Sequence, residues 1–298
     1  MTTTTESTTR PVVVGYDGSE SAQAAVRWAA ATAARTVAPL VVLHAADRIV
    51  HAQDVSIGIW DPAAEHDRAR ELAEQGAQLV REEHPELQVT AQGSLLGPRQ
   101  ALDEASAHAQ GVVVGTRGHG RVRNTLMGAT AYGLTGHARC PVTVVPGPAT
   151  MPGPDAGVVV GVDGSPESER AAEAAARWAQ AWGADLLVVS SWERPTTDPW
   201  GLSADGMRSV DEAAAVRRDR AEQRARHAAD AVTSTFPDLT VRISTPSGRA
   251  DENLVEASSD AALLVLGTRG SGRLSSFLLG STTRNILHVS AVPVHIVR

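Results

Sequence analysis

The chain repeats itself, so its fold must be built twice. Gly115-Thr116-Arg117-Gly118 is followed, after nine intervening residues, by Gly128, and Gly267-Thr268-Arg269-Gly270 is followed at the same spacing by Gly280-Ser281. Each copy comes directly after an apolar run, Val112-Val113-Val114 and Leu263-Leu264-Val265-Leu266. The two glycine patterns lie 152 positions apart. The likeness extends to Val12-Val13-Val14-Gly15-Tyr16-Asp17-Gly18-Ser19, answered 146 positions later by Val158-Val159-Val160-Gly161-Val162-Asp163-Gly164-Ser165. The growth of the offset to 152 puts about six extra residues after the second strand of the second half, near Arg194 to Gly206.

A length of 298 residues suits two domains of ordinary size. The Pro- and Gly-rich stretch 147–155 reads as a linker between domains at 11–146 and 156–298, and residues 1–10 read as a disordered tail. Short apolar runs alternate with longer helical segments. Strands are expected at about 12–16, 40–45, 87–93, 111–115 and 142–145, and helices at about 20–36, 62–84, 98–109 and 129–138, with the same order repeated in the second half. The strands are Val-rich and continuous, as strands covered on both faces are. The fold class that follows is α/β: two tandem, doubly wound, Rossmann-like domains, each a five-stranded parallel sheet of order 3-2-1-4-5. A charge-dense helix at about 207–235 reads as a solvated face with i,i+4 ion pairs rather than a basic binding surface.

Composition excludes several activities. Net charge is −7, which argues against nucleic-acid binding. There is no lysine, so a Walker P-loop, a protein-kinase site and Schiff-base chemistry are all ruled out. The single Cys140 permits no intrachain disulfide and fits a reducing cytosol. No apolar stretch approaches the roughly 20 residues of a membrane span, so no membrane partner is expected. The ten histidines do not cluster at ligand spacing, and no metal site is expected. Cys140 matches Val292, and Met127 matches Leu279, both as packing residues; Trp60 and Trp200 read as peripheral packing.

A strand running into a glycine loop that opens a helix can form a phosphate cradle. In a 3-2-1-4-5 sheet the ligand crevice lies between the first and fourth strands, which brings Asp17 to Gly115 and Asp163 to Gly267. Gly115, having no Cβ, is expected to let a ligand approach the backbone, and Gly118 to turn amide N–H groups inward through a positive φ. Gly128 opens the last helix, whose unpaired N–H groups favour an anion, and Ser281 adds an N-cap hydroxyl in the second copy. Positive charge must come from Arg117, Arg121, Arg269 and Arg273. The loops are completed by Thr116, His119 and Gly120, and by Thr268, Ser271 and Gly272. Asp17 and Asp163 are expected away from the phosphates, at ribose hydroxyls or a base amino group. Glycine-rich strand ends also serve as plain tight turns; it is the duplication that favours a nucleotide.

These residues resemble the ATP-binding subgroup of the universal stress protein family, in its tandem form. The resemblance covers nearly all of residues 11–298. It implies two adenine-nucleotide sites and a cytosolic role in stress or dormancy. It further implies that Gly15, Tyr16 and Asp17 meet the adenosine, Ala45 the base through its backbone, Val114 and Gly115 the ribose, and Gly118, Gly128 and Thr130 the phosphates. The second set is Gly161, Val162 and Asp163; Ser191; Leu266 and Gly267; Gly270, Gly280, Ser281 and Thr282. The last strands, 142–145 and 294–297, would pair antiparallel between domains. Ala129 stands where the family has Ser or Thr, so the second site is expected to bind ATP more tightly. ATP is the expected ligand, with Mg²⁺ able to accompany its phosphates; a homodimer and an unidentified protein partner fit the same picture. No catalytic residues are expected beyond slow ATP hydrolysis. The competing readings are a slow ATP hydrolase and a chaperone or scaffold with vestigial sites.

Overall fold

A computed structural model describes residues 9–46, 61–116, 118, 127–147, 156–195, 204–270 and 279–298. Most of the expected tail and linker lie outside the described residues, as do Trp60, Trp200 and most of the extra loop of the second half. The chain divides into two compact units, Met1–Ala149 and Thr150–Arg298.

The first unit runs β1 (Val12–Gly15), α1 (Glu20–Thr36), β2 (Leu40–Ala45), α2 (Pro62–Glu83), β3 (Val89–Ser94), α3 (Pro98–Ser106), β4 (Gly111–Gly115), α4 (Ala129–His137) and β5 (Val142–Val145). The second runs β6 (Val158–Gly161), α5 (Pro166–Trp182), β7 (Leu186–Val189), α6 (Ala204–Thr235), β8 (Val241–Ser244), α7 (Ala250–Ala257), β9 (Leu263–Gly267), α8 (Ser281–Val289) and β10 (Val294–Val297). Every strand pair within a unit is parallel. The orders are β3-β2-β1-β4-β5 and β8-β7-β6-β9-β10, so each sheet reverses direction beside its first strand, as expected.

The apolar runs become strands because both sheet faces are covered. Val12, Val13 and Val14, and likewise Val158, Val159 and Val160, are buried. Helix α1 lays Ala22, Ala25, Ala29 and Ala33 on the sheet, and α5 lays down Ala171, Ala175 and Ala179. These positions follow the helical period, so one face is a continuous small-residue stripe that lets the helix axis come close. Helix α2 comes closer still to β3. A Cβ at Gly93 would stand 2.7 Å from the Arg70 amide nitrogen and 2.9 Å from the His66 carbonyl oxygen.

Both first helices start the same way. Ser19 and Ser165 are the N-caps, accepting from Ala22 N and Ser168 N at 3.2 Å. They end differently: both C-caps are left-handed, but one is Gly183 (φ 64°) and the other Val37 (φ 51°), a β-branched residue. Among the described residues no helix is long and apolar enough to cross a membrane. Cys140 is half-buried, and burial pushes its thiol up to about 11, so at neutral pH it is a packing group and not a thiolate. Val292, its counterpart, is buried.

Candidate functional site

Each crevice is assembled from the carboxyl ends of three strands and the start of one helix. Its organiser is the Asp-Gly-Ser turn. Asp17 Oδ1 accepts from the Ser19 backbone N at 3.1 Å and from Ser19 Oγ at 2.6 Å. The copy is faithful: Asp163 Oδ1 accepts from Ser165 N at 3.1 Å and Ser165 Oγ at 2.6 Å. Gly18 (φ 84°) and Gly164 (φ 81°) provide the left-handed residue that the turn requires. One carboxylate oxygen therefore braces the serine that caps the following helix.

The other oxygen corrects an expectation. A Cβ at Gly118 would lie 2.2 Å from Asp17 Oδ2, and one at Gly270 would lie 2.3 Å from Asp163 Oδ2. The aspartate packs against the second glycine of the motif rather than at the far end of the crevice. Its negative charge thus sits beside the loop assigned to phosphates. That glycine is needed to make room for the carboxylate, and Gly270 does not adopt a positive φ.

Other glycines of the motif also answer to the chain's own packing. A Cβ at Gly115 would meet Ser21 Oγ at 2.2 Å and the Ser21 carbonyl carbon at 2.8 Å, so α1, not a ligand, occupies that space. Gly267 is crowded the same way by Glu167, at 3.0 Å. Gly15 faces Leu102 at 3.2 Å, and Gly161 faces Leu254 and Leu266 at 3.0 Å. Gly280 differs. Among the described residues nothing comes nearer than 3.6 Å to its missing Cβ, so none of them requires glycine there.

Gly128 and Gly280 are the N-caps of α4 and α8, and neither helix start has a side-chain cap. Ser281 is thus the first helical residue and not the N-cap, so the expected hydroxyl cap is absent and cannot explain a tighter second site. What both halves share is a helix start whose amide donors are not claimed by a capping side chain, the arrangement that accepts an anion. Ala129 and Ser281 are exposed there, and Thr130 and Thr282 half-buried. Each loop is closed at its base: Gly128 N donates to Thr116 O at 2.7 Å, and Gly280 N to Thr268 O at 2.9 Å. In the second half Thr283 Oγ1 also donates to Gly267 O at 3.0 Å.

The strand ends assigned to the adenosine meet as expected but carry different side chains. In the first half His44 Nδ1 lies 2.7 Å from the Tyr16 carbonyl oxygen, which can only accept, so the proton resides on Nδ1. Tyr16 is buried, and burial, followed by the charge of Asp17, holds its phenol above the usual range against the opposing effect of Arg27. In the second half Val162 replaces the tyrosine and Ser190 replaces the histidine. There Arg224 of α6 reaches across: its Nη1 donates to Asp163 O at 3.4 Å and its Nη2 to Ser191 O at 3.5 Å. Ser191 Oγ accepts from Asn253 of α7 at 3.2 Å, where the first half has Ala45 and Ala101.

Arg224 and Asn253 escaped the reading of the sequence. Arg224 sits in a helix dense in charge, and only its alignment with Leu72 of the first half marks it as inward-facing. Elsewhere α6 is solvated, as its Arg226–Glu222 pair (3.4 Å, i,i+4) illustrates. Val114 and Leu266 are buried under the crevice floor, and Thr268 is buried at its edge. Arg117, His119, Gly120, Arg121, Ser271, Gly272 and Arg273 lie outside the described residues. Among the described residues, no three His, Cys, Asp or Glu side chains could together hold a metal ion.

The model of the universal stress protein family matches twice, over residues 8–146 and 157–298. A universal stress protein of Mycobacterium tuberculosis is 31% identical over 306 residues, covering 96% of each chain. Another from the same species is 29% identical over 294 residues, again covering 96% of each. A universal stress protein from Archaeoglobus fulgidus shares the fold, with a TM-score of 0.65 and 19% identity over 98% of this chain and 99% of that one. With one match in each half, the two together spanning nearly every residue, the chain belongs to the universal stress protein family.

Proposed function

We propose that the chain is an ATP-binding regulatory protein of stress or dormancy, acting in the cytosol through two adenine-nucleotide sites. The observation that carries this reading is the pair of helix starts, α4 and α8, that open on glycine without a side-chain cap beside the reversal point of each sheet. Amide donors and a helix dipole there suit a polyphosphate, and arginines stand in for the missing lysine. Mg²⁺ can travel with the phosphates. In this reading occupancy acts on shape, assembly or partner affinity rather than on chemistry.

The test is calorimetric titration of ATP into the full chain, with an expected stoichiometry of two. Gly280→Val adds its branches where the nearest heavy atom among the described residues is 3.6 Å from the first added carbon, so the fold should persist while a phosphate is displaced. The expected result is loss of one of the two sites. Silence of the wild-type chain at millimolar ATP, or a variant that still binds two, would sink the reading. Turnover of labelled ATP above about 1 s⁻¹ would instead favour an enzyme.

A further inference from the structure

A cleft lies between α5 and α6, and at the corresponding place the first unit carries an aromatic ring. In the first unit the side chain of Tyr16 plugs the groove between α1 and α2. Its ring packs against Gly76, where a Cβ would come within 2.9 Å of Tyr16 Cδ1 and Cγ, and the residue is only 6% exposed. The second unit has Val162 for Tyr16 and Ala228 for Gly76. The hydroxyphenyl ring gives way to the two methyls of Val162 and the one methyl of Ala228. What remains is a cleft of about 470 Å³, with Val162 and Ala228, both nearly fully buried, among its lining residues.

Charge arrives with the space. Arg220 and Arg224 line the cleft against one carboxylate, Glu169, which faces His227 at 3.9 Å. The methylenes of Arg224 lie over Gly164, at 3.1 and 3.2 Å from the position of its missing Cβ. Among the described residues its guanidinium is tied only to neutral carbonyls, through the two long bonds to Asp163 and Ser191. Among the described residues neither Arg220 nor Arg224 makes an ion pair. The first unit has Leu72 and Gln75 in place of Arg224 and His227, and its Arg68, matching Arg220, is already paired with Glu65. An apolar floor beside guanidinium groups that, among the described residues, have no carboxylate partner suits a ring that carries an anion.

We propose that this cleft binds a small planar aromatic carboxylate, its ring over Val162 and Ala228 where the first unit seats its own phenol, and its carboxylate on Arg224 and Arg220. The cleft does not include the start of α8 assigned to phosphate, but it shares Val162 with the strand end assigned to the adenosine, and Arg224 reaches the Asp163 and Ser191 carbonyls of that same edge.

Titration of the full chain with 4-hydroxybenzoate is expected to show one site. Cyclohexanecarboxylate, with the charge but no flat ring, and benzyl alcohol, with the ring but no charge, should each bind at least about 5-fold more weakly. Val162→Tyr combined with Ala228→Gly installs the first unit's own plug and should weaken 4-hydroxybenzoate by at least about 10-fold. Arg224→Leu, the first unit's residue, should weaken it by about 5-fold or more without refilling the core, and serves if the double variant melts early. No heat with 4-hydroxybenzoate up to about 10 mM would overturn the proposal. So would equal binding of cyclohexanecarboxylate, or undiminished binding by both variants.

Discussion

The two units hold one backbone with different side chains. Where the first strand ends, the first unit secures a carbonyl with the His44 imidazole, and the second secures the next carbonyl with the Arg224 guanidinium. The first fills its helix groove with Tyr16, while the second leaves the groove open. Yet the aspartate brace, the serine caps, the bonds at the loop bases and the two glycine-started helices agree between the units to within a few tenths of an ångström. Side chains in the crevice are thus exchangeable as long as the carbonyls and amides stay in place. A site built from main-chain donors tolerates such drift, because its chemistry does not reside in residue identity.

The largest difference the comparison predicts lies under α2. Gly93→Ala would drive a methyl into the backbone of α2 and should cost about 4 kcal/mol in urea unfolding, whereas Thr245→Ala at the matching place should cost less than about 1 kcal/mol. Equal effects would mean that α2 and α6 pack alike, against the geometry described.

Next comes His295 on β10, where the first unit has Thr143. The ring packs edge-on against Trp178 at 5.5 Å, and burial pushes its pKa from 6.5 to about 4. A depressed pKa means that the folded state resists a proton the unfolded state accepts. The contribution to stability is therefore whole above pH of about 6.5 and is lost as pH falls through about 4, a span worth about 3 kcal/mol. His295→Thr should flatten the stability profile across that window. An unchanged slope would show that other groups set it.

The smallest effect concerns the C-caps. Val37 holds a left-handed conformation that Gly183 adopts without strain, so Val37→Gly should stabilise the first unit by about 1 kcal/mol. The matching Gly183→Val should destabilise the second by a similar amount. Thermal melts of the two variants read both signs.

Strand and helix positions were legible because Val runs and Ala stripes carry their period openly. The sheet order followed from strand–helix alternation, and Gly128 and Gly280 declared themselves through spacing. The roles of the remaining glycines were not legible. Gly115 looks like a ligand-facing residue until Ser21, far away in sequence, is found in its space. Gly118 looks like a turn until Asp17 is found against it. Arg224 was hidden among the other arginines of α6, since a helix written in charges does not announce which one turns inward. Gly76 offered the clearest missed clue: a glycine in mid-helix weakens the helix by about 1 kcal/mol, and here the ring of Tyr16 lies against it.

The bonds from Gly128 to Thr116 and from Gly280 to Thr268 make each glycine loop a drawstring purse with its neck already tied. What is inside can be lengthened, shortened or rewritten while the neck keeps strand and helix in register. Ring-closure entropy changes by only about 0.6 kcal/mol for each doubling of length. Each purse is therefore free to acquire a new grip on its contents without renegotiating the sheet that carries it.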